Sequence, residues 1–319
     1  MPSFGYTLMC EQHDPRDLVR RAVRAEEAGF DFVVISDHFH PWLPSHRHSP
    51  FAWSVLGAVA DRTERVELAT MVTCPFLRYH PAIVAQAAAT VAVMSDGRFT
   101  LGLGAGERLN EHVVGLGWPA ADERHQMLLE SIEVIQALWS GEWTSYRGEF
   151  VAVEDARIYD LPERPPGIFV AAGGRDAAEL AADLADGICA TEPDPDLVAA
   201  FTGAGGDPSA TWSQIPLSWG ADADAALARA HDQFRFGVPG WKVMAELPNP
   251  VNFEAATETV RPEDMADSVA YGPDPERHVD MITKYVEAGF QKVAVVDVGE
   301  DPDGFLRFWT EEVRPKLPS

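Results

Sequence analysis

Apolar runs and helical stripes alternate along this chain. Phe4 to Met9 is a short apolar run, and the period then changes, with Leu18, Ala22 and Ala25 recurring at i, i+4 and i+7. That spacing puts them on one face of a helix. Asp14 suits its N-cap, Pro15 its first position and Gly29 its stop. Phe32 to Ile35 follows without any polar alternation, as expected of a strand covered on both faces. The alternation predicts helix Pro50–Arg62 with strand Val66–Val72, and helix Pro81–Met94 with strand Arg98–Leu103. A longer helix over about Asp122–Trp139 leads into a hairpin around Trp143–Val153. Strand Ile168–Ala171, helix Asp176–Leu184, strand Ile188–Ala190 and helix Pro195–Thr202 come next. Strand Trp212–Trp219 has helix Asp222–Phe236 behind it, and a helix from Asp274-Pro275 precedes the last strand, Val293–Val296. Its ending, Glu287-Ala288-Gly289-Phe290, echoes Glu27-Ala28-Gly29-Phe30. Eight such strands, alternating with helices, predict an α/β fold of the closed (β/α)8 TIM-barrel type rather than an open doubly wound sheet.

Two stretches break the rhythm. Residues 104–120 form a Gly-rich loop after the fourth strand, and residues about 237–272 form an insertion between the seventh helix and the eighth. Long loops on the C-terminal rim of a barrel carry its chemistry. Neither stretch reads as an interdomain linker, so residues 1–319 are expected to form a single domain with a rim insertion.

Composition narrows the function. Twenty-five Lys and Arg stand against 50 Asp and Glu, a net charge of −25. Nucleic-acid sites want clustered cations, and anionic membranes want them too; neither partner is expected. The N-terminus lacks the basic and apolar regions of a signal peptide. Cys10, Cys74 and Cys189 lie far apart, without zinc spacing, and read as small buried apolar residues in a reducing cytoplasm. No His, Asp and Glu group has ligand spacing on one element, so no metal is expected.

Candidate chemistry gathers at predicted strand ends. The clusters are Glu11-Gln12-His13, Ser36-Asp37-His38-Phe39-His40-Pro41-Trp42, Thr73-Cys74-Pro75 with Arg78-Tyr79-His80, Gly104 to Glu111, and Ala171-Ala172-Gly173-Gly174. His38 is the best acid or base, since an ordinary imidazole exchanges its proton near pH 6.5. Trp42 offers a flat wall and an indole donor. Glu107, between glycine and a polar segment, is placed to be a buried proton-transferring carboxyl. Gly102-Leu103-Gly104-Ala105-Gly106-Glu107 has Glu107 where a dinucleotide fingerprint needs its third glycine, which argues against a nicotinamide site. Ala172, Gly173 and Gly174 join a strand to a helix N-terminus, a phosphate cradle in outline.

Together these clusters resemble the luciferase-like superfamily of flavin and deazaflavin enzymes. The similarity is closest to the branch of deazaflavin-dependent glucose-6-phosphate dehydrogenases. It rests on Ser36-Asp37-His38-Phe39 with Pro41-Trp42, Arg78-Tyr79 with Pro81, Gly104-x-Gly106-Glu107-x-Leu109-Asn110-Glu111, and Ala171 to Gly174. Ala105 stands where a threonine is common. The resemblance implies coenzyme F420 as hydride carrier. His38 would take the proton of a substrate hydroxyl, Trp42 would brace the developing charge, and Glu107 and Glu11 would handle protons at the reacting centre. Asp37 and Asn110 would fix the ring system, Met71, Val72 and Cys74 would support it, and Ala172, Gly173, Gly174 and Thr191 would hold the phosphate tail. A cis peptide between Met71 and Val72 and a homodimer are also implied.

In the sugar-phosphate enzymes of this branch, two lysines and an arginine grip the phosphate. Their matching positions here are Asp194, Met244 and Ser268, none of them cationic, and desolvating an anion requires compensating charge or donors. Lys242 is the nearby cation. Met244 with Trp241, Val243 and Leu247 suggests an apolar lip, and the expected small-molecule substrate is therefore a neutral alcohol, bulky or hydrophobic, or its ketone. The alternatives are an F420-dependent sugar or sugar-6-phosphate dehydrogenase, an FMN-dependent luciferase-like monooxygenase, and a deazaflavin carrier without turnover.

Overall fold

The computed structural model describes residues 1–318. Strands β1 (Ser3–Leu8), β2 (Phe32–Ile35), β3 (Glu67–Thr70) and β4 (Phe99–Leu103) pair in parallel in that order. The short antiparallel hairpin β5 (Thr144–Arg147) and β6 (Ala152–Ala156) stands apart. The sheet continues through β7 (Gly167–Ala171), β8 (Gly187–Ala190) and β9 (Thr211–Ser218), while β11 (Lys292–Asp297) joins β9 back to β1. The eight-stranded ring is closed, a (β/α)8 barrel. The two-residue strand β10 (Ala270–Tyr271) adds only to the rim of β9.

Helices α1 (Pro15–Glu27), α2 (Ala52–Arg62), α3 (Pro81–Met94), α5 (Ala121–Leu138), α6 (Arg175–Leu184), α7 (Pro195–Gly203), α8 (Ala223–Phe234) and α11 (Pro275–Glu287) surround it. Asp14, Asp194, Asp222 and Asp274 cap α1, α7, α8 and α11 through their side chains. Leu18, Ala22 and Ala25 are fully buried against the barrel, as their spacing predicts. Each fully buried large apolar side chain contributes about 1.5–3 kcal/mol.

The barrel is filled from its N-terminal end. Phe169 stacks on Trp212 at 4.6 Å, Phe32 meets Trp212 edge-on at 5.1 Å, and Lys292 lies 4.2 Å over the Trp212 ring. Gly102 is glycine because a Cβ there would come within 2.0 Å of the Thr70 carbonyl and 2.5 Å of Phe169. Space is therefore left at the C-terminal mouth, where Met71, Val72, Gln214 and Pro216 keep accessible surface.

Three local expectations are corrected. The third strand stops at Thr70 rather than Val72; the Met71–Val72 peptide is cis, and pairing with β4 resumes at Thr73. The hairpin's second strand lies later than expected, because residues 149–151 give their N–H groups to the Glu130 carboxylate at 2.7–2.9 Å. The insertion is not loop throughout. It carries α9 (Trp241–Met244), α10 (Pro250–Ala256) and β10, all before α11.

Candidate active site

Each functional side chain is delivered by the end of a different strand. β1 leads to Glu11, β2 to Ser36, Asp37 and His38, and β4 to the Gly104–Glu107 loop. Glu107 precedes the short helix α4 (Arg108–Glu111), whose first N–H is accepted by the Ala245 carbonyl of the insertion at 2.9 Å. The insertion thus latches the loop that carries Glu107. Gly106 has φ +72°, and a Cβ there would also meet Cys74 Sγ at 2.8 Å; glycine is required twice over.

His38 stands between two carboxylates. Its Nδ1 faces Glu11 Oε1, and its Nε2 lies 3.2 Å from Glu107 Oε1. Burial works against the imidazolium, but Glu11 and then Glu107 outweigh it and raise the His38 pKa to about 9. The two carboxylates thus favour the imidazolium and move proton exchange above the ordinary histidine range. Burial alone would raise Glu11, yet the His38 charge and hydrogen bond hold it below the usual carboxylate value. Ser36 Oγ donates to Glu11 Oε2 at 2.8 Å and accepts from the Cys10 N–H at 3.0 Å.

Trp42 closes one side. It meets His38 edge-on at 4.7 Å, stacks on Phe236 and takes Phe253 edge-on at 5.2 Å. Met9, Leu109 and Met244 complete this apolar cluster. Phe236 and Phe253 carry no sequence signal for the site, since only the fold of the insertion brings them to Trp42.

Asp37 and Asn110 act inside the wall. Asp37 accepts from Thr73 Oγ1 at 2.8 Å, from Tyr79 OH at 2.9 Å, and from Arg78 at 3.3 Å. Asn110 donates to Glu107, and its Oδ1 accepts the N–H groups of Phe39 and His40 at 2.8 and 3.0 Å. Behind them burial raises Glu111 to about 8, Arg78 notwithstanding. Arg78, Tyr79 and Glu111 were visible in the sequence as members of polar clusters and of the motifs that carry the resemblance, without an assigned role. Cys74 is buried, and burial lifts its thiol well above the ordinary value.

The remaining residues lie across the mouth. Ala172 is buried, while Gly173 and Thr191 are exposed. Gly174 precedes α6, which has no side-chain cap, unlike the Asp-capped helices around it. Tyr285 OH donates to the Thr191 carbonyl at 2.9 Å. Among the described residues, no group of three or more His, Cys, Asp or Glu is placed to hold a metal ion.

The sequence pattern of the luciferase-like monooxygenase family matches residues 3–292. The chain belongs to the luciferase-like family. Its relatives there include an F420-dependent glucose-6-phosphate dehydrogenase of Microbacterium testaceum, 38% identical over 98% of this chain and 97% of that protein. An F420-dependent hydroxymycolic acid dehydrogenase of Mycobacterium tuberculosis is also 38% identical, over 98% of this chain and 88% of that one. Among solved structures, an F420-dependent secondary alcohol dehydrogenase in complex with an F420–acetone adduct superposes with a TM-score of 0.91. It is 28% identical and covers 100% of this chain and 99% of its own. This luciferase-like chain is thus similar over nearly its whole length to proteins named as F420-dependent dehydrogenases.

Proposed function

We propose that this luciferase-like protein is an F420-dependent oxidoreductase acting on a CH–OH group, and that its substrate is a neutral alcohol or the corresponding ketone. The observation that carries the reading is the imidazole of His38, clamped between Glu11 and Glu107 beside Trp42 at the open end of the barrel. Hydride transfer needs a proton-exchanging group on the oxygen and a flat partner beneath the carbon.

The residues fit the cofactor. A Cβ at Gly173 or Gly174 would meet nothing within 4 Å, so the turn opens onto free space, and the first N–H groups of α6 lack a side-chain cap. Such groups suit a phosphate. Ala172, Gly173, Gly174 and Thr191 would hold the phosphate tail, and Met71, Val72 and Cys74 would back the ring. Asp37 and Asn110 would keep that wall in place. When bound, F420 supplies a hydride acceptor at C5 of its deazaflavin. His38 exchanges the proton of the substrate oxygen, and Glu107 and Glu11 stabilise its charged form.

The substrate assignment rests on three positions. Asp194 caps α7, accepting from the Asp196 and Leu197 N–H groups. Met244 is buried with Trp42, and Ser268 is exposed and uncharged. No cation stands at any of them. The curated glucose-6-phosphate dehydrogenases among the relatives favour the second reading, oxidation of a sugar phosphate. Titration with F420 and with FMN tests the cofactor; micromolar FMN binding without F420 binding overturns it. Loss of F420 absorbance with neutral secondary alcohols, against glucose 6-phosphate, tests the substrate. Efficient turnover of the sugar phosphate alone supports the second reading.

The protein forms a homodimer in the cytoplasm on this reading. Phe51, Ile83, Val93 and Met94 leave large apolar surface exposed on and beside α2 and α3, and the three cysteines are free and buried. Light scattering of the purified protein gives the oligomeric state.

A further inference from the structure

The reaction requires one nitrogen of His38 to lose and regain a proton while the other keeps its own. Which nitrogen does so is settled by a chain of donors. The backbone N–H of Cys10 can only donate, and Ser36 Oγ accepts it at 3.0 Å. Donation of the Ser36 hydroxyl proton is therefore directed onward, to Glu11 Oε2 at 2.8 Å. Glu11 is fully buried, and its other oxygen faces His38 Nδ1. A carboxylate so placed needs a donor on both oxygens, because an unpaired buried charge is costly. If Nδ1 lost its proton, its lone pair would confront that fully buried carboxylate directly. Nε2 has a different partner. Glu107 Oε1 is 3.2 Å away, also accepts from Asn110, and belongs to a side chain that keeps 10% of its surface exposed. Loss of the Nε2 proton therefore leaves no comparable conflict.

We infer that Ser36 is a positioning residue that acts through Glu11 to keep the proton on His38 Nδ1, making Nε2 the atom that exchanges a proton with the substrate oxygen. This inference rests on the oxidoreductase reading for its use, but its geometry belongs to the chain alone. In oxidation Nε2 would take the hydroxyl proton, with bound F420 supplying the hydride acceptor, and in reduction Nε2 would give the proton back.

The charged groups around the pair come from several elements. Glu107 faces Nε2 from the loop after β4, and Arg78 opposes the imidazolium from the loop after β3. His46, buried beyond β2 with its Nε2 against the Gln233 carbonyl at 2.9 Å, lies within the field of Glu11. Asp37 is held by Arg78, Tyr79 and Thr73. None of these side chains donates to Glu11 Oε2; besides His38, the carboxylate is held by the Ser36 hydroxyl and by the Glu11 backbone N–H.

Nitrogen-15 spectra of protein labelled at histidine read the protonation of each ring nitrogen without cofactor or turnover. The His38→Gln spectrum identifies the His38 signals among the ten histidines. As pH rises through the His38 titration, Nε2 is expected to move to the unprotonated position while Nδ1 stays protonated. Ser36→Ala should raise the midpoint by about half a unit or more, a part of the worth of a hydrogen bond to a charged group. It should also blur the Nδ1 assignment as Glu11 begins to share the proton. Ser36→Thr, which keeps the hydroxyl, should restore both. A neutral His38 with its proton on Nε2 overturns the inference, and this wild-type measurement decides even if Ser36→Ala does not fold. A folded Ser36→Ala protein with unchanged midpoint and Nδ1 signal overturns it as well. Absence of F420 binding would defeat the functional reading while leaving the tautomer result standing.

Discussion

Trp42 and Phe236 lie face to face, with ring centroids 4.8 Å apart and 4° between their planes. Trp42 follows the second strand and Phe236 lies in the turn after α8 that leads into the insertion, so this stack ties that turn to the wall beside His38. Phe236→Ala should loosen Trp42 and cost about 3–5 kcal/mol of stability as a buried aromatic truncation. Denaturant unfolding checks the stability loss. In the folded fraction, kcat/KM for the alcohol should fall about tenfold, roughly the 1.4 kcal/mol expected of one aromatic contact, while F420 affinity stays the same. Loss of cofactor binding instead would place Trp42 in the cofactor wall rather than over the substrate.

The two sides of the His38 clamp should differ in what their loss does. His38→Ala removes the proton-exchanging group, and turnover should drop about 10²-fold or more, within the roughly 10²–10⁴ range of general acid–base catalysis. Glu107→Gln keeps a side chain of similar shape but withdraws one of the two charges that favour the imidazolium. It should move the pH midpoint of activity downward and lower the rate reached on the plateau above it. Steady-state rates across pH, with cofactor affinity measured separately, distinguish these effects from misfolding. Near-native rates in both variants would remove His38 from the proton route.

Much of the barrel was legible because its strands are short apolar runs and its helices announce themselves with Asp caps such as Asp14 and Asp274. The site was legible as clusters, since a barrel collects polar residues where its strands end. What local pattern cannot carry is the pairing between clusters. The opposing carboxylates of His38 come from β1 and β4, and their joint effect on its proton appears only when the barrel closes. The aromatic backing of Trp42 comes from the insertion, whose α9 and α10 have too few residues for a clear period. The boundary at β6 was displaced by three N–H groups committed to one distant carboxylate, Glu130.

A second buried cluster, built by α1, β1 and β11, predicts stability. Arg21 donates to the Tyr6 hydroxyl at 2.9 Å, pairs with the fully buried Asp297 at 3.5 Å, and bonds Asp17 at 2.8 Å. Burial raises Asp297 to about 7 even with Arg21 beside it. Arg21→Ala would leave this carboxyl without a cation, at a cost of about 3–5 kcal/mol when it is charged. Below about 7 the folded carboxyl is neutral with or without Arg21, so the variant's deficit grows as pH rises past that value, where the wild-type carboxyl ionises beside its cation. Thermal unfolding should show a larger deficit at pH 8 than at pH 5. An equal deficit at both would mean that the loss is one of packing alone.

The two directions of the reaction should respond oppositely to pH. With its pKa raised to about 9 by Glu11 and Glu107, His38 is an imidazolium at pH 7. Only about one ring in a hundred is then neutral, two units below the midpoint. Alcohol oxidation needs the neutral base, so kcat/KM should climb nearly tenfold per unit toward pH 9 and then level. Ketone reduction needs the proton, so its rate should hold across neutrality and fall through the same midpoint. The same charge contributes stability that is full below the ordinary histidine value and is lost as pH rises through 9, so folding must be followed in parallel. Rates in both directions between pH 6 and 10, with the protein verified folded, give the midpoint. A midpoint near the ordinary histidine value of about 6.5 would mean that the carboxylates do not clamp the ring in solution. Parallel profiles for oxidation and reduction would mean that some group other than His38 exchanges the proton.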